Sequence, residues 1–456
     1  MDSKSIKNIP IRILKLANVV LITAMWAVVW YLYYKDYAVV QYYFKGDLLV
    51  IFIFATLYFL CSRSYNSFHI ATVSISEIIY SQFLGIIVSD AIIFMFTWLV
   101  SLYFPNLVPI TFCFLMQMCI SVLWSLLAHK WYFATHKPVK SAVIYEYRMG
   151  LEKLVDEYGM SKRFDVQATY PVADVLADIS KISEYKTVFL SGINSHERNV
   201  IIKYCVEADI DVYVIPRIGD MIMAGALPVH MFHLPMMHVR RYEPVPEYVI
   251  LKRVFDIVIS LFLFIVFAPF MLITAIAVKS DGGPALYKQK RLTQNGKEFY
   301  ILKFRSMSVD AEKDGVARLS TGDKDDRITK VGRIIRAIRF DELPQIFNIL
   351  KGDMSIVGPR PERPEIAAEY EKDMPEFKLR LQAKAGLTGY AQVYGKYNTS
   401  PYDKLLMDLM YISKPSIIED IKICMYTVKI LFEKESTEGV NEGNTTASDS
   451  KSDEGV

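Results

Sequence analysis

Five long apolar runs constrain this chain more than any other feature. Leu16–Tyr34, Leu48–Cys61, Ile75–Phe104 and Pro109–Ala128 fill the amino-terminal region, and Val254–Val278 follows much later with Pro269 inside it. Crossing the hydrocarbon of a bilayer takes about 20 apolar residues. The first, third and fourth runs meet that length, whereas the second is short. Backbone in lipid must satisfy its own polar groups, so these runs predict helices. Four successive runs with no small-residue cleavage site after the first exclude a cleaved signal peptide. The 456 residues are 52% hydrophobic with a mean hydropathy of +0.23, too apolar for an ordinary soluble enzyme. Ordinary Gly (21) and Pro (19) contents and 13% aromatics exclude collagen-like and low-complexity chains.

Lys and Arg set the expected orientation. Lys4, Lys7, Arg12 and Lys15 precede the first run, and Lys130, Lys137 and Lys140 follow the fourth. The turn between runs three and four has neither residue type. Four spans with both ends cytoplasmic fit, with Lys35 and Lys45 as outward-facing exceptions. The net charge of +3 gives no reason to expect nucleic-acid binding. The segment from Glu433 to Val456 carries seven acids against two lysines, so the rest is more basic than the total shows. This Gly/Ser/Thr/acid tail reads as disordered. Five cysteines with no CxxC pair point to packed thiols rather than a disulfide framework or zinc ribbon.

Between the membrane region and the fifth run the pattern changes. Ala142–Tyr145, Phe164–Gln167, Thr187–Gly192 and Asp211–Pro216 read as short strands, with helical stretches near 147–159, 171–183 and 195–208. That alternation predicts a parallel sheet with crossover helices. The first strand leads into Tyr145-Glu146-Tyr147-Arg148-Met149-Gly150, which lacks the GxGxxG loop that cradles a pyrophosphate. His230, His233 and His238 match no familiar zinc spacing and read as surface or interface residues.

The chemistry-bearing residues follow the fifth run. Lys288, Lys290 and Arg291 precede a hairpin turn at Asn295-Gly296, and the next strand leads into Lys303-Phe304-Arg305. Arg327, Lys330, Arg333, Arg336 and Arg339 recur every three residues, a basic stripe if the segment is one helix. Ile328, Val331, Ile334, Ile335 and Ile338 supply its apolar face. Such a helix can lie on a membrane surface or capture phosphate. Asp341-Glu342-Leu343-Pro344 follows. Pro344 suits the first turn of a helix to about Leu350, which puts Asp341 at or near the N-cap, where the helix dipole favours its charged form. Arg336 and Arg339 are expected to push the same way. An ionised carboxylate among cations can cap a helix or attack phosphorus. In Pro359-Arg360-Pro361 the two prolines restrict where the Arg360 fork points, and a fixed guanidinium matches phosphate. Gly386-Leu387-Thr388-Gly389 forms a second tight loop.

From about Lys252 to Phe432 these residues resemble the bacterial sugar transferase family, the polyprenyl-phosphate hexose-1-phosphate transferases with a monotopic core. The matching pieces, in order, are KRVFDIVIS, GPALYKQKR, NGKEFYILKFRSM, DDRITKVGRIIR, FDELPQIFNILKGDMSIVGPRPE and AGLTGYAQVYG. The preceding spans and α/β segment resemble the long form of these enzymes in layout. Ala385 departs from the family's usual Pro before the Gly-Leu-Thr-Gly loop, which predicts a less rigid loop, and Phe340 is a conservative change.

The resemblance implies a fold and a reaction. The expected architecture is an α-helical membrane bundle (1–138), a degenerate Rossmann-like α/β parallel-sheet domain (139–245), and a mainly α-helical monotopic catalytic domain (246–432) with a re-entrant membrane helix at 254–278, then the tail 433–456. The expected reaction moves sugar-1-phosphate from a UDP-sugar, glucose or galactose first, to undecaprenyl phosphate. UMP leaves, and exopolysaccharide, capsule or O-antigen assembly begins. By the family's pattern Asp341 is the nucleophile and carries a phospho-sugar intermediate, and Glu342 helps hold Mg²⁺ with it or assists proton handling. Lys303, Arg336 and Arg360 hold phosphates, with Arg291, Arg305 and Arg339 as further phosphate contacts or structural residues. Membrane lipid is a partner, nucleic acid is not, and a homo-oligomer, a dimer, is expected. The place is the bacterial inner membrane, multi-pass, with the catalytic domain on the cytoplasmic face. That face requires the fifth run not to cross. Lys252 and Arg253 before it and Lys279, Lys288, Lys290 and Arg291 after it hold both ends on one side, and Pro269 is the helix break. A dehydratase or epimerase built on the α/β domain would need the missing glycine loop. A scaffold would leave the Asp-Glu pair unexplained.

Overall fold

A computed structural model describes residues 9–37, 39, 43–280, 282–308, 327–395 and 399–430; the tail from 433 and Lys4 and Lys7 lie outside them. The chain forms two compact units, Met1–Ile215 and Pro216–Val456.

The first unit opens with four apolar helices, α1 (Ile9–Val29), α2 (Phe44–Ser64), α3 (Ile75–Leu99) and α4 (Leu107–Thr135). Each is long and apolar enough to cross a membrane. The second helix is longer than its apolar run because polar groups at its start find partners. Asp47 in its first turn accepts the Trp30 indole N–H at 3.0 Å and faces Lys35 at 3.8 Å. Trp26 stacks on Phe54 and on Trp30 in the bundle core. Ser74 caps α3 and Asn106 caps α4 through their side-chain oxygens.

Beyond the bundle lie β1 (Val139–Tyr145), α5 (Leu151–Glu157), β2 (Phe164–Pro171), α6 (Val172–Ala177), β3 (Thr187–Ser191), α7 (Ser195–Glu207) and β4 (Asp211–Val214). The strands form a parallel sheet in the order β2-β1-β3-β4, packed through Ala142, Ile144, Val188, Leu190 and Ile201. Chain order and sheet order diverge at β1 and β3, where open α/β sheets take ligands. Here Glu146 reaches the start of α7. Its Oε2 accepts the Asn194 N–H at 2.9 Å and its Oε1 accepts Asn194 Nδ2 at 2.8 Å. The chain's own carboxylate thus takes the position where a helix N-terminus would meet a phosphate.

The second unit begins with α8 (Ile218–Ala224) and an antiparallel hairpin, β5 (Leu227–Met231) and β6 (Leu234–His238). The histidine cluster had not suggested this hairpin. Its turn is Phe232-His233, both left-handed, and His230, His233 and His238 are surface residues on it. The long helix α9 (Pro246–Ser280) contains Pro269. It leads to β7 (Leu286–Leu292) and β8 (Glu298–Phe304), an antiparallel pair joined through Asn295-Gly296, where positive φ at both residues explains the sequence signal. The remaining elements are α10 (Lys330–Ala337), α11 (Gln345–Lys351), β9 (Ser355–Val357), α12 (Pro364–Asp373), β10 (Gly386–Thr388), α13 (Tyr390–Val393), α14 (Pro401–Ser413) and α15 (Ile417–Ile430). Ile349, Met354, Ile356, Leu405, Leu409 and Ile423 form the main core. Asp420 ties α9, α14 and α15 together, accepting from Lys252 and Tyr248 at 3.0 and 3.1 Å and from Tyr411 at 2.8 Å.

The basic stripe is not one helix. Thr329 caps α10 by accepting the Gly332 N–H, and Arg339 adopts a left-handed conformation that turns the chain away. Arg327 and Arg339 therefore lie outside the helix. The apolar face divides as well. Ile335 and Val331 pack with Met271, Val278 and Phe304, while Ile334 and Ile338 are exposed.

Candidate active site

The Asp-Glu pair sits where three segments converge. Left-handed Arg339 opens a single 3₁₀ turn, Phe340–Glu342, and α11 starts only after it, with Pro344 at the N-cap. Asp341 is therefore not the cap of α11, contrary to the sequence expectation. Phe340 anchors this turn on α9, its ring 5.8 Å from Phe267 and 6.4 Å from Phe270, the residues flanking Ala268 and Pro269. Asn348 fixes the other side. It accepts the Leu302 N–H at 3.0 Å and donates to the Tyr300 carbonyl at 2.8 Å, pinning α11 to β8. Arg253 of α9 donates to the carbonyls of Ile349 and Leu350, both at 2.7 Å, and so closes the end of α11.

These supports bring Lys303, at the end of β8, to Glu342: Nζ lies 2.7 Å from Oε1. The same oxygen is 3.3 Å from Arg360 Nη2. Asp341 is half-buried, and no described residue donates a hydrogen bond to its carboxylate. The two acids consequently ionise over different pH ranges. Burial and the neighbouring Glu342 push Asp341 up to about 6, against the pull of Lys303, Arg336 and Arg360. Burial works against the Glu342 anion too, but Lys303 and Arg360 outweigh it and hold that group well below the ordinary carboxylate range. The expectation that Asp341 is pushed down is thus reversed, because burial beside a second acid outweighs the cations.

Arg360 stands exposed on a loop that is itself held by backbone contacts. Arg380 Nη2 donates to the Arg360 carbonyl at 2.9 Å, and Arg291 Nη1 donates to the Pro361 carbonyl at 3.0 Å. Arg380 is buried against Asp408 at 2.7 Å and faces Glu362 at 3.7 Å. Arg291, expected as a phosphate contact or structural, therefore sits under the loop. Arg305 lies away from the acids, donating to the carbonyls of Pro284 and Val278 at the end of α9. Arg336 and Arg339 face the acids electrostatically. Close backbone approach explains the glycines: a Cβ on Gly358 would overlap the Lys384 carbonyl, and one on Gly386 would overlap the Gly358 backbone. Ala385 does not loosen this loop. Its N–H donates to Thr293 Oγ1 at 3.1 Å, a bond that Pro could not make.

Asn348, Arg380 and Asp408 were not singled out from sequence, and Arg253 was named only as a basic flank of the fifth apolar run. Their roles depend on partners distant along the chain, and no local pattern marks them. Three or more His, Cys, Asp or Glu side chains placed to hold a metal are not found among the described residues. The pair Asp341 and Glu342 nevertheless fits Mg²⁺, which takes one or two carboxylates and completes its shell with water and substrate phosphate. The Asp341 carboxylate, without a donor partner, is the available ligand.

Known proteins resemble the segment that carries these residues. The family model described as "Bacterial sugar transferase" matches residues 247–434. A UDP-N-acetylgalactosamine-undecaprenyl-phosphate N-acetylgalactosaminephosphotransferase of Aeromonas hydrophila is 35% identical over 231 residues, 50% of this chain and 53% of that protein. A UDP-glucose:undecaprenyl-phosphate glucose-1-phosphate transferase of Caulobacter vibrioides is 43% identical over 186 residues, 40% of this chain and 69% of that protein. The exopolysaccharide production protein PSS of Rhizobium leguminosarum bv. phaseoli is 41% identical over 191 residues, 39% of this chain and 94% of that protein. The matched part thus spans only about half of the Aeromonas relative, yet it covers nearly all of the Rhizobium one. With the Asp-Glu pair and the Pro-Arg-Pro loop inside the matched segment, the chain belongs to the bacterial sugar transferase family.

Proposed function

We propose that this protein transfers sugar-1-phosphate from a UDP-sugar to undecaprenyl phosphate, starting a surface polysaccharide at the inner membrane. One observation carries the reading: no hydrogen bond to the Asp341 carboxylate is made among the described residues although Lys303, Arg336 and Arg360 act on it electrostatically, while Glu342 is held in ion pairs. An Asp341 oxygen attacks the β-phosphorus of the UDP-sugar, and the bond from that phosphorus to the bridging oxygen breaks. UMP leaves with the bridging oxygen, and Asp341 holds the phospho-sugar. A phosphate oxygen of the lipid then attacks the same phosphorus and frees the carboxylate. Arg360, reaching out from a backed loop, orients the pyrophosphate, and Lys303 keeps Glu342 ionised beside it. Asp341 and Glu342 would hold Mg²⁺, which when bound lowers the repulsion between carboxylate and pyrophosphate. Glucose and galactose remain the proposed sugars. The named relatives act on glucose and on N-acetylgalactosamine, so the sugar must be found by assay.

The proposal includes a re-entrant α9 with the catalytic residues on the cytoplasmic face. A straight helix of 35 residues would run about 50 Å, well beyond a hydrocarbon core of about 30 Å. Phe267 and Phe270, mid-helix, pack on Phe340 next to the charged pair. A crossing α9 would carry that pair into hydrocarbon. A helix bent at Pro269 within one leaflet keeps it at head-group height. Membranes carrying the protein, given a UDP-sugar panel with the label in the sugar, should release UMP and move label into the lipid phase. UMP release with no lipid-phase label for any sugar would overturn the transfer reaction.

A further inference from the structure

Phe340 is the covalent neighbour of Asp341, yet its ring is placed by a distant helix. Phe267 and Phe270 of α9 both meet it edge-on, and those two rings lie 6.3 Å from each other. About one turn earlier on α9, Phe264 meets Phe347 of α11 edge-on at 5.5 Å. Positions 264, 267 and 271 share one face of a helix by their three- and four-residue spacing. Met271 and Val278 continue that face against Phe304 and Ile335, with Phe340 and Leu343 packed on the same cluster. The acid pair is thus bracketed by two side chains, Phe340 before it and Leu343 after it, that both rest on α9. Edge-to-face ring contacts carry a directional preference as well as buried area.

The backbone under this contact is strained. Arg339 has a φ of 56°, a conformation uncommon for a residue with a side chain. It persists only where the surroundings over-determine it. The turn's own bonds are long: Glu342 N–H reaches the Arg339 carbonyl at 3.3 Å, and Leu343 N–H reaches the Phe340 carbonyl at 3.2 Å. Ion pairs hold Glu342 to Lys303 and Arg360. No described residue donates to the Asp341 carboxylate, so its direction follows the backbone that carries it. We propose that Phe340 is a positioning residue for Asp341: its ring, seated on Phe267 and Phe270, holds the left-handed entry to the turn and so sets where the carboxylate points. This rests on the reading of Asp341 as nucleophile. Misplacing a nucleophile slows the chemical step. The Arg360 loop is braced separately, by Arg380 and Arg291, so the loss should fall on kcat and spare KM.

Four variants of the full-length protein in lipid nanodiscs test this. Phe340→Ala should lower kcat for UMP release at least about tenfold, with KM for the UDP-sugar within about twofold of wild type. Phe340→Leu refills the seat and should keep kcat within about threefold. Phe267→Ala removes the other side of the contact and should reproduce the kcat loss. Phe262→Ala, at a ring 61% exposed on the same helix, should match wild type. Hydrogen exchange over the 339–343 backbone, read by mass spectrometry, should quicken in Phe340→Ala and Phe267→Ala and stay unchanged in Phe262→Ala. Wild-type kcat and exchange in Phe340→Ala would overturn the proposal. So would a raised KM with kcat intact, an equal loss in Phe262→Ala, or a Phe340→Leu variant as slow as Phe340→Ala. Phe267→Ala gives the same two readouts if Phe340→Ala does not fold. Wild-type protein that releases no UMP from any UDP-sugar would sink the transfer reading instead, and the exchange rates would still show whether Phe340 holds the turn.

Discussion

At the scale of single residues, the two neighbouring acids are set to ionise over different pH ranges, and that difference can be measured. Asp341→Asn removes the nucleophile, so UMP release should fall by several orders of magnitude; retention of more than about a tenth of the activity would exclude a covalent role. Only the ionised carboxylate attacks. With Asp341 pushed up to about 6, activity should rise with pH through that value and fall about tenfold per unit below it. The sign of two substitutions follows from their charges. Glu342→Gln removes a neighbouring anion, which lowers the Asp341 pKa and moves the acid limb to lower pH, on a reduced rate. Lys303→Met removes a cation and should move it to higher pH. A pH–rate profile that moves the same way in both variants would exclude this electrostatic account. Arg360→Ala should raise the apparent KM for the UDP-sugar about 10- to 100-fold, since a charge-assisted contact is worth roughly 1.5–3 kcal/mol, with membrane association unchanged in a flotation assay.

At the scale of elements, the Arg360 loop rests on buried charges. Asp408 and Arg380 are nearly fully buried, and burial pushes Asp408 up to about 6 despite the opposing pull of Arg380. The two are therefore not equivalent to remove. Arg380→Met leaves a carboxyl that can take up a proton, whereas Asp408→Ala leaves a guanidinium that cannot lose one. Asp408→Ala should be the more destabilising, by roughly 3–5 kcal/mol, seen as the larger fall in thermal midpoint. Arg380→Met should have the larger effect on KM, because it frees the Arg360 carbonyl. The Asn295-Gly296 turn, the Pro-Arg-Pro loop and the parallel strands could be read from sequence because their signals are local. The extent of α10 could not. A three-residue recurrence of Arg says nothing about where Thr329 starts the helix or where Arg339 reverses the chain.

At the scale of the whole molecule, the number of membrane crossings decides which side the chemistry is on. Cysteines introduced at Lys297 and Glu376, near the turn of the β7–β8 hairpin and after α12, should resist labelling from outside intact cells and react after permeabilisation. Outside labelling at either position would establish a fifth crossing. The sequence by itself determined the apolar helices and the α/β alternation, because hydrophobic length, period and turn chemistry act over short stretches of chain, while its resemblance to the family singled out Asp341, Glu342, Lys303 and Arg360. Only the tertiary structure decided which of the two acids ionises more readily. The distance from Lys303 to Glu342, the burial of Asp341 beside a second acid and the backing of Arg360 by Arg380 arise between segments far apart in sequence. Electrostatic energy depends on separation and desolvation in space, and neither is encoded in the order of residues along the chain.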